Sequence, residues 1–106
     1  MSAYIIAHLE QVDMGADIIR YVESIDATLA PFGGRFLVHG DPIEVLEDRL
    51  EGDIIIVEFP DIERARQWYA SPAYRTILPL RTRNAKGAVV LVPGVSADHK
   101  ATDILR

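Results

Sequence analysis

The chain has 106 residues, with 11 Lys and Arg against 16 Asp and Glu, a net charge of −5 and no cysteine. That length suits one domain, the acidic balance opposes binding to phosphate backbones, and the lack of thiols excludes disulfides, zinc–thiolate and iron–sulfur sites and cysteine nucleophiles. No apolar run approaches the ~20 residues that span a bilayer, and the opening MSAYIIAHLEQVD lacks a basic start and a long apolar run, so a soluble, cytoplasmic protein without membrane attachment is expected.

The segment 3–9 (AYIIAHL) is short, rich in β-formers and apolar on both faces, which predicts a central strand. Asp13 then offers an N-cap, and Met14, Ile18, Val22, Ile25 and Leu29 recur at helical spacing as one amphipathic stripe. Pro31 and the pair Gly33-Gly34 end that helix. This glycine pair follows a helix and precedes a strand, the reverse of a nucleotide-binding loop, so it reads as helix termination. A second strand is predicted over 35–39 (RFLVH). The glycine-bounded stretch 40–52 reads as a small excursion or edge hairpin, and 53–59 (DIIIVEF) as the most apolar and most central strand.

Pro60-Asp61 starts a second helix with Asp61 as N-cap and with Ile62, Ala65, Trp68 and Tyr69 facing inward. Ser71-Pro72 breaks and restarts it, since proline suits a first helical position, and Tyr74, Ile77, Leu78 and Leu80 continue the apolar face. A last strand is predicted over 87–92 (GAVVLV). The domain then covers residues 1–94, and 95–106 form a polar tail whose Ile104 and Leu105 could dock on a partner subunit. The cations Arg64, Arg66, Arg75, Arg81, Arg83 and Lys86 gather in one region, but acidic segments surround them and no nucleic-acid partner is expected.

The order β-α-β-β-α-β, with short connections and right-handed crossovers, predicts an α+β ferredoxin-like fold with strand order 4-1-3-2. Both helices then cover one face of the sheet. The run Ile54-Ile55-Ile56-Val57 does not alternate as a strand with one wet face should, so the other face needs a cover. A second copy of the chain is the most economical one, which predicts a homodimer.

The glycine pair entering a strand (GGRFLVHG), the later LEG, the run VEFPDIERARQWYASPAYR and the closing strand ending in VPG resemble the family described as domain of unknown function 1330. The likeness runs over residues 4–94 and implies a ferredoxin-like dimeric α+β barrel in which two sheets face each other. The wider superfamily includes cofactor-free monooxygenases, muconolactone isomerase-like enzymes, stress-responsive barrel proteins and haem-degrading enzymes. No activity is established for the family itself, so the resemblance implies no catalytic residue.

The candidate residues come from topology. His8 and His39 fall toward one end of the sheet, Tyr4, Arg35 and Glu58 toward the other, and an Arg35–Glu58 pair across neighbouring strands would form a salt bridge. Either it positions a substrate or it is a structural ion pair. His8 and His39 would lie two strands apart, about 9–10 Å, with no third ligand at an evident spacing, so no metal site is expected. Each histidine singly is a candidate general base or a hydrogen-bonded strand-end residue. Trp68, Tyr69 and Tyr74 gather at the helix break and either line a pocket or fill core and dimer contacts.

The catalytic candidates are therefore His39, Glu58, His8 and Tyr69, and the ligand-binding candidates Arg35, Trp68, Tyr74 and Tyr4. Three readings stay open. One is an enzyme needing no cofactor, of oxygenase, isomerase or decarboxylase type, on a small aromatic or oxo acid. The others are a non-catalytic small-molecule-binding or stress-responsive barrel, and a purely structural dimer module.

Overall fold

Two apolar segments set the centre of the sheet. Strand β1 (Ala3–Val12) and strand β3 (Asp53–Phe59) pair antiparallel from Ala3 opposite Phe59 to Leu9 opposite Asp53. In the computed structural model, which describes residues 1–105, strands β2 (Arg35–His39) and β4 (Ala85–Pro93) flank them in the order β2-β3-β1-β4. This is the expected 4-1-3-2 sheet. β1 and β4 each run a few residues beyond their apolar centres, held by antiparallel pairing that continues past a bulge between Leu9 and Gln11.

Helix α1 (Ala16–Leu29) starts later than the sequence suggests. Asp13 belongs to the turn after β1, where its N–H donates to the Asn84 carbonyl, and Gly15 takes the N-cap position without a side-chain cap. Met14 lies outside the helix and is 73 % exposed. The inward face runs through Ile18, Ile25, Thr28 and Leu29, with Tyr21 half-buried on the same side, while Val22 is 47 % exposed. The chain leaves through a 3-10 turn at Ala30–Phe32, and Gly33 closes it with φ 71, a left-handed conformation that glycine adopts without steric cost.

Helix α2 (Ile62–Ala70) begins as expected, with the Asp61 carboxylate accepting from the Arg64 N–H at 2.8 Å. Ser71 is extended backbone between α2 and α3 (Pro72–Thr82). Its hydroxyl donates to the Trp68 carbonyl at 2.7 Å and accepts from the Tyr74 N–H at 3.3 Å, so one side chain ends one helix and starts the next.

All three helices cover one face. Ile5, Val57 and Phe59 from the sheet pack with Ile25, Leu29, Ala65, Trp68, Tyr74, Ile77 and Leu78 from the helices. On the opposite face, register places Val38, Ile56, Ile6 and Val90 in one row across all four strands. Val38 and Val90 are 36 % and 48 % exposed. Residues 41–50, between β2 and β3, form an exposed excursion without regular structure rather than a hairpin.

Candidate functional site

A cleft of about 310 Å³ opens between the sheet and the helices. Helix α1 packs chiefly on α3 rather than on the strands, and the cleft lies in the space between α1 and the sheet. Its floor is aliphatic, from Ile5, Ala7, Leu9, Ile55, Val57 and Val89, and Ile18 and Ile25 close it from α1. The volume sits at the lower end of small-molecule pockets, which run from about 300 Å³ upward.

The helix side of the cleft carries its polar groups. Tyr21 on α1 and Tyr74 on α3 share a hydrogen bond between their hydroxyls at 2.8 Å, with the rings edge to face at 6.2 Å. Burial pushes the Tyr21 phenol well above its ordinary range, Tyr74 adds to that shift and Arg81 opposes it. The Arg81 guanidinium, two turns along α3 from Tyr74, lies 6.0 Å from the centre of the Tyr21 ring. Trp68 lines the cleft with its indole N–H fixed on the Thr28 hydroxyl at 3.0 Å, and that hydroxyl in turn donates to the Ile25 carbonyl at 2.7 Å. At the rim stand His39, stacked on Phe36 with ring centres 4.2 Å apart, and Asp53, both exposed.

Of the sequence candidates, the cleft brings together His39, Trp68 and Tyr74. Four others lie on the far face of the sheet. Arg35 and Tyr4 both pair across from Glu58, and the Arg35 guanidinium donates to the Glu58 carboxylate from two nitrogens at 2.9 Å. Arg35 holds the Glu58 carboxyl below the usual carboxylate range against a modest burial penalty, with Ser2 and Tyr4 contributing. His8 sits opposite Ile54, and its Nε2 is 2.6 Å from the Glu51 carbonyl, which it meets as a donor. His39 pairs with Ile55, so the two histidines occupy opposite faces and cannot share a ligand. Tyr69 lies outside the cleft, in a shallow hollow with Arg66 and Leu91, and carries the Arg75 guanidinium 4.9 Å above its ring.

Sequence reasoning missed two residues of the cleft, Tyr21 and Arg81. The stripe assigned to α1 ran through Val22 and passed Tyr21 by, and Arg81 was absorbed into a general basic cluster. The available signal was the spacing of seven between Tyr74 and Arg81, which returns to one helix face after two turns. Among the described residues, no group of three or more histidines or carboxylates is placed to hold a metal ion, and no helix is long and apolar enough to cross a membrane.

Residues 2–95 match the family model "Domain of unknown function (DUF1330)", and the chain belongs to that family. No curated protein matches it. Among solved structures it is similar to the RPA0582 protein of unknown function from Rhodopseudomonas palustris, at 13% identity and TM-score 0.67 over 90% of this chain and 83% of that one. A dimeric ferredoxin-like protein of unknown function from Jannaschia sp. CCS1 follows, at 13% identity and TM-score 0.58 over 91% of this chain and 100% of the other. SnoaB, a cofactor-independent oxygenase from Streptomyces nogalater, aligns at 14% identity and TM-score 0.54 over 93% and 98%. At these identities the likeness establishes the ferredoxin-like fold.

Proposed function

We propose that this chain, a member of the domain of unknown function 1330 family, binds a small organic molecule in the cleft between its sheet and helices α1 and α3. It works there as a cofactor-independent enzyme of the oxygenase, isomerase or decarboxylase kind. The observation that carries this reading is the cleft itself, with an aliphatic floor, an immobilised Trp68 and a few convergent polar groups. Likeness of fold to a cofactor-independent oxygenase supports it as analogy. In this reading His39 at the rim is the general base, held by its strand and by its stack on Phe36. Trp68 and Tyr74 orient the ligand. Glu58, His8, Arg35 and Tyr4 serve the opposite face.

That face is where a second copy docks. Similar structures described as dimeric support a homodimer, and so does the apolar row Val38–Ile56–Ile6–Val90, which no helix of the chain covers. The tail carries exposed Ile104 and Leu105 and is available to the same partner.

A non-catalytic binding protein is the second reading. One observation favours it: apart from His39 and Asp53 at the rim, the cleft walls carry no carboxylate or histidine. One experiment separates the two. Compounds that shift the Trp68 indole signal in NMR are incubated with the protein in air, and oxygen uptake and product mass are followed. Turnover that falls at least about a hundredfold in His39→Gln, with binding unchanged, establishes the enzyme. Binding without turnover of any bound compound establishes the binding protein instead.

A further inference from the structure

The arginines of this chain are not equivalent. Arg35 is paired with Glu58, Arg64 with Asp61 and Arg66 with Glu63. Arg81 has no carboxylate within ion-pair distance among the described residues, yet it is half-buried and lines a cleft with an aliphatic floor. Asp17, in the first turn of α1, accepts from the Asn84 side-chain amide at 3.2 Å, and Asp53 at the cleft rim is exposed. What surrounds the guanidinium instead is the Tyr21–Tyr74 pair. The Tyr21 phenol carries no charge to offset it, since burial pushes its ionisation above the ordinary tyrosine range. The positive charge is therefore not cancelled from within the fold.

A half-buried cation without a counterion is costly unless something supplies the negative charge. Here the guanidinium fork, suited to a planar two-oxygen anion, meets a hydroxyl pair in which one O–H is donated to the other oxygen, leaving one hydroxyl able to turn toward an acceptor. We propose that Arg81, flanked by Tyr21 and Tyr74, is an anion-recognition site, and that the cleft takes a monoanionic carboxylic acid with a flat apolar body. The acid group lies on the wall formed by α1 and α3, and the body lies on the floor beside Trp68. This rests on the cleft being a small-molecule site and adds the charge and the pose of its ligand.

The test uses the intact, isotope-labelled chain and reads the indole N–H of Trp68, the chain's one tryptophan, which lines the cleft. The probes are para-ethylbenzoate and para-ethylbenzamide, alike in shape and different in charge. Both should move the indole signal, with the benzoate binding about tenfold or more tightly, as a charge-assisted pair requires. The preference should fall to near unity in Arg81→Met and be largely kept in Arg81→Lys. Equal affinity of the two probes for the unaltered chain, or a preference that survives in Arg81→Met, overturns the anion site and leaves the cleft as a neutral-ligand site. If neither probe moves the signal at millimolar concentration, the anion site and the small-molecule reading fall together. The comparison of probes on the unaltered chain holds even if Arg81→Met fails to fold.

Discussion

Tyr21 and Tyr74 show how one contact between side chains turns into a dependence on pH. Burial and the shared hydrogen bond favour the neutral phenol of Tyr21 in the folded chain, so its folded pKa lies above the unfolded value of 10.0. A group with a raised folded pKa contributes stability that is complete below its unfolded pKa and is lost as pH rises past it. The urea midpoint should therefore fall more steeply above pH 10 in the unaltered chain than in Tyr21→Phe, which has no proton to lose there. Ultraviolet titration should show Tyr21 resisting ionisation until the fold opens. A tyrosine count that ionises fully with the fold intact would contradict this.

Glu58 has the opposite sign. The Arg35 guanidinium holds its folded pKa below the ordinary 4.5, so the stabilisation is present above that value and is lost as pH falls through the folded pKa. In Arg35→Gln, the Glu58 carboxyl followed by NMR should titrate closer to its ordinary value. An unchanged midpoint would mean that Ser2 and Tyr4, the lesser contributors, set it. Because the Arg35 side chain is 70 % exposed, the pair acts chiefly on acid behaviour and little on stability at neutral pH.

At the scale of elements, Ser71 is the residue on which two helices depend. Ser71→Ala removes the acceptor for the Tyr74 N–H and the donor to the Trp68 carbonyl. Loss of such a cap costs about 0.5–2 kcal/mol, so urea unfolding should show a destabilisation of that order. Ser71→Asp restores the acceptor and should recover part of it. A neutral Ser71→Ala would show that Pro72 and the packing of Tyr74 are sufficient to hold the break.

This break was legible in the sequence, as were strands β2 and β3, because the Ser-Pro restart, the Asp61 cap and continuous β-branched runs are local signals. The bridge between Arg35 and Glu58 was legible too, since strand order and pairing bring those two strands side by side. The start of α1 and the place of Tyr21 on its inward side were not. The stripe through Ile18, Ile25 and Leu29 was read correctly, but Val22 and Tyr21 both stand at helical spacing between Ile18 and Ile25, and periodicity cannot choose between them. Only the packing of α1 against α3 decides it, and that choice is what puts Tyr21 beside Tyr74. The division of the candidates between two sheet faces was also hidden. His39 follows a register shift between Phe36 and Val38, and one residue of slip moves a side chain to the other face.

The neighbours Ile55 and Ile56 carry the two faces of the whole molecule. Ile55 pairs with Ala7 and His39 beneath the helices and lines the cleft, and Ile56 pairs with Ile6 and Val38 on the uncovered face. Aspartate at either place buries an unpaired charge in the proposed dimer, but in different surroundings. Ile55→Asp sets the charge against the core shared by β1, β3 and the helices, so unfolding should be easier by several kcal/mol at any protein concentration. Ile56→Asp leaves that core intact and places the charge in the row Val38–Ile56–Ile6–Val90, where a second sheet would lie. Light scattering should then show the unaltered chain as a dimer and Ile56→Asp shifted to a folded monomer, with a far-ultraviolet spectrum unchanged. If Ile56→Asp stays dimeric and as stable as the unaltered chain, the copies meet elsewhere, and the apolar row is covered by something other than its own mate. If the two substitutions act alike on folding and on assembly, the sheet faces are not independent, and folding of this chain is inseparable from its association.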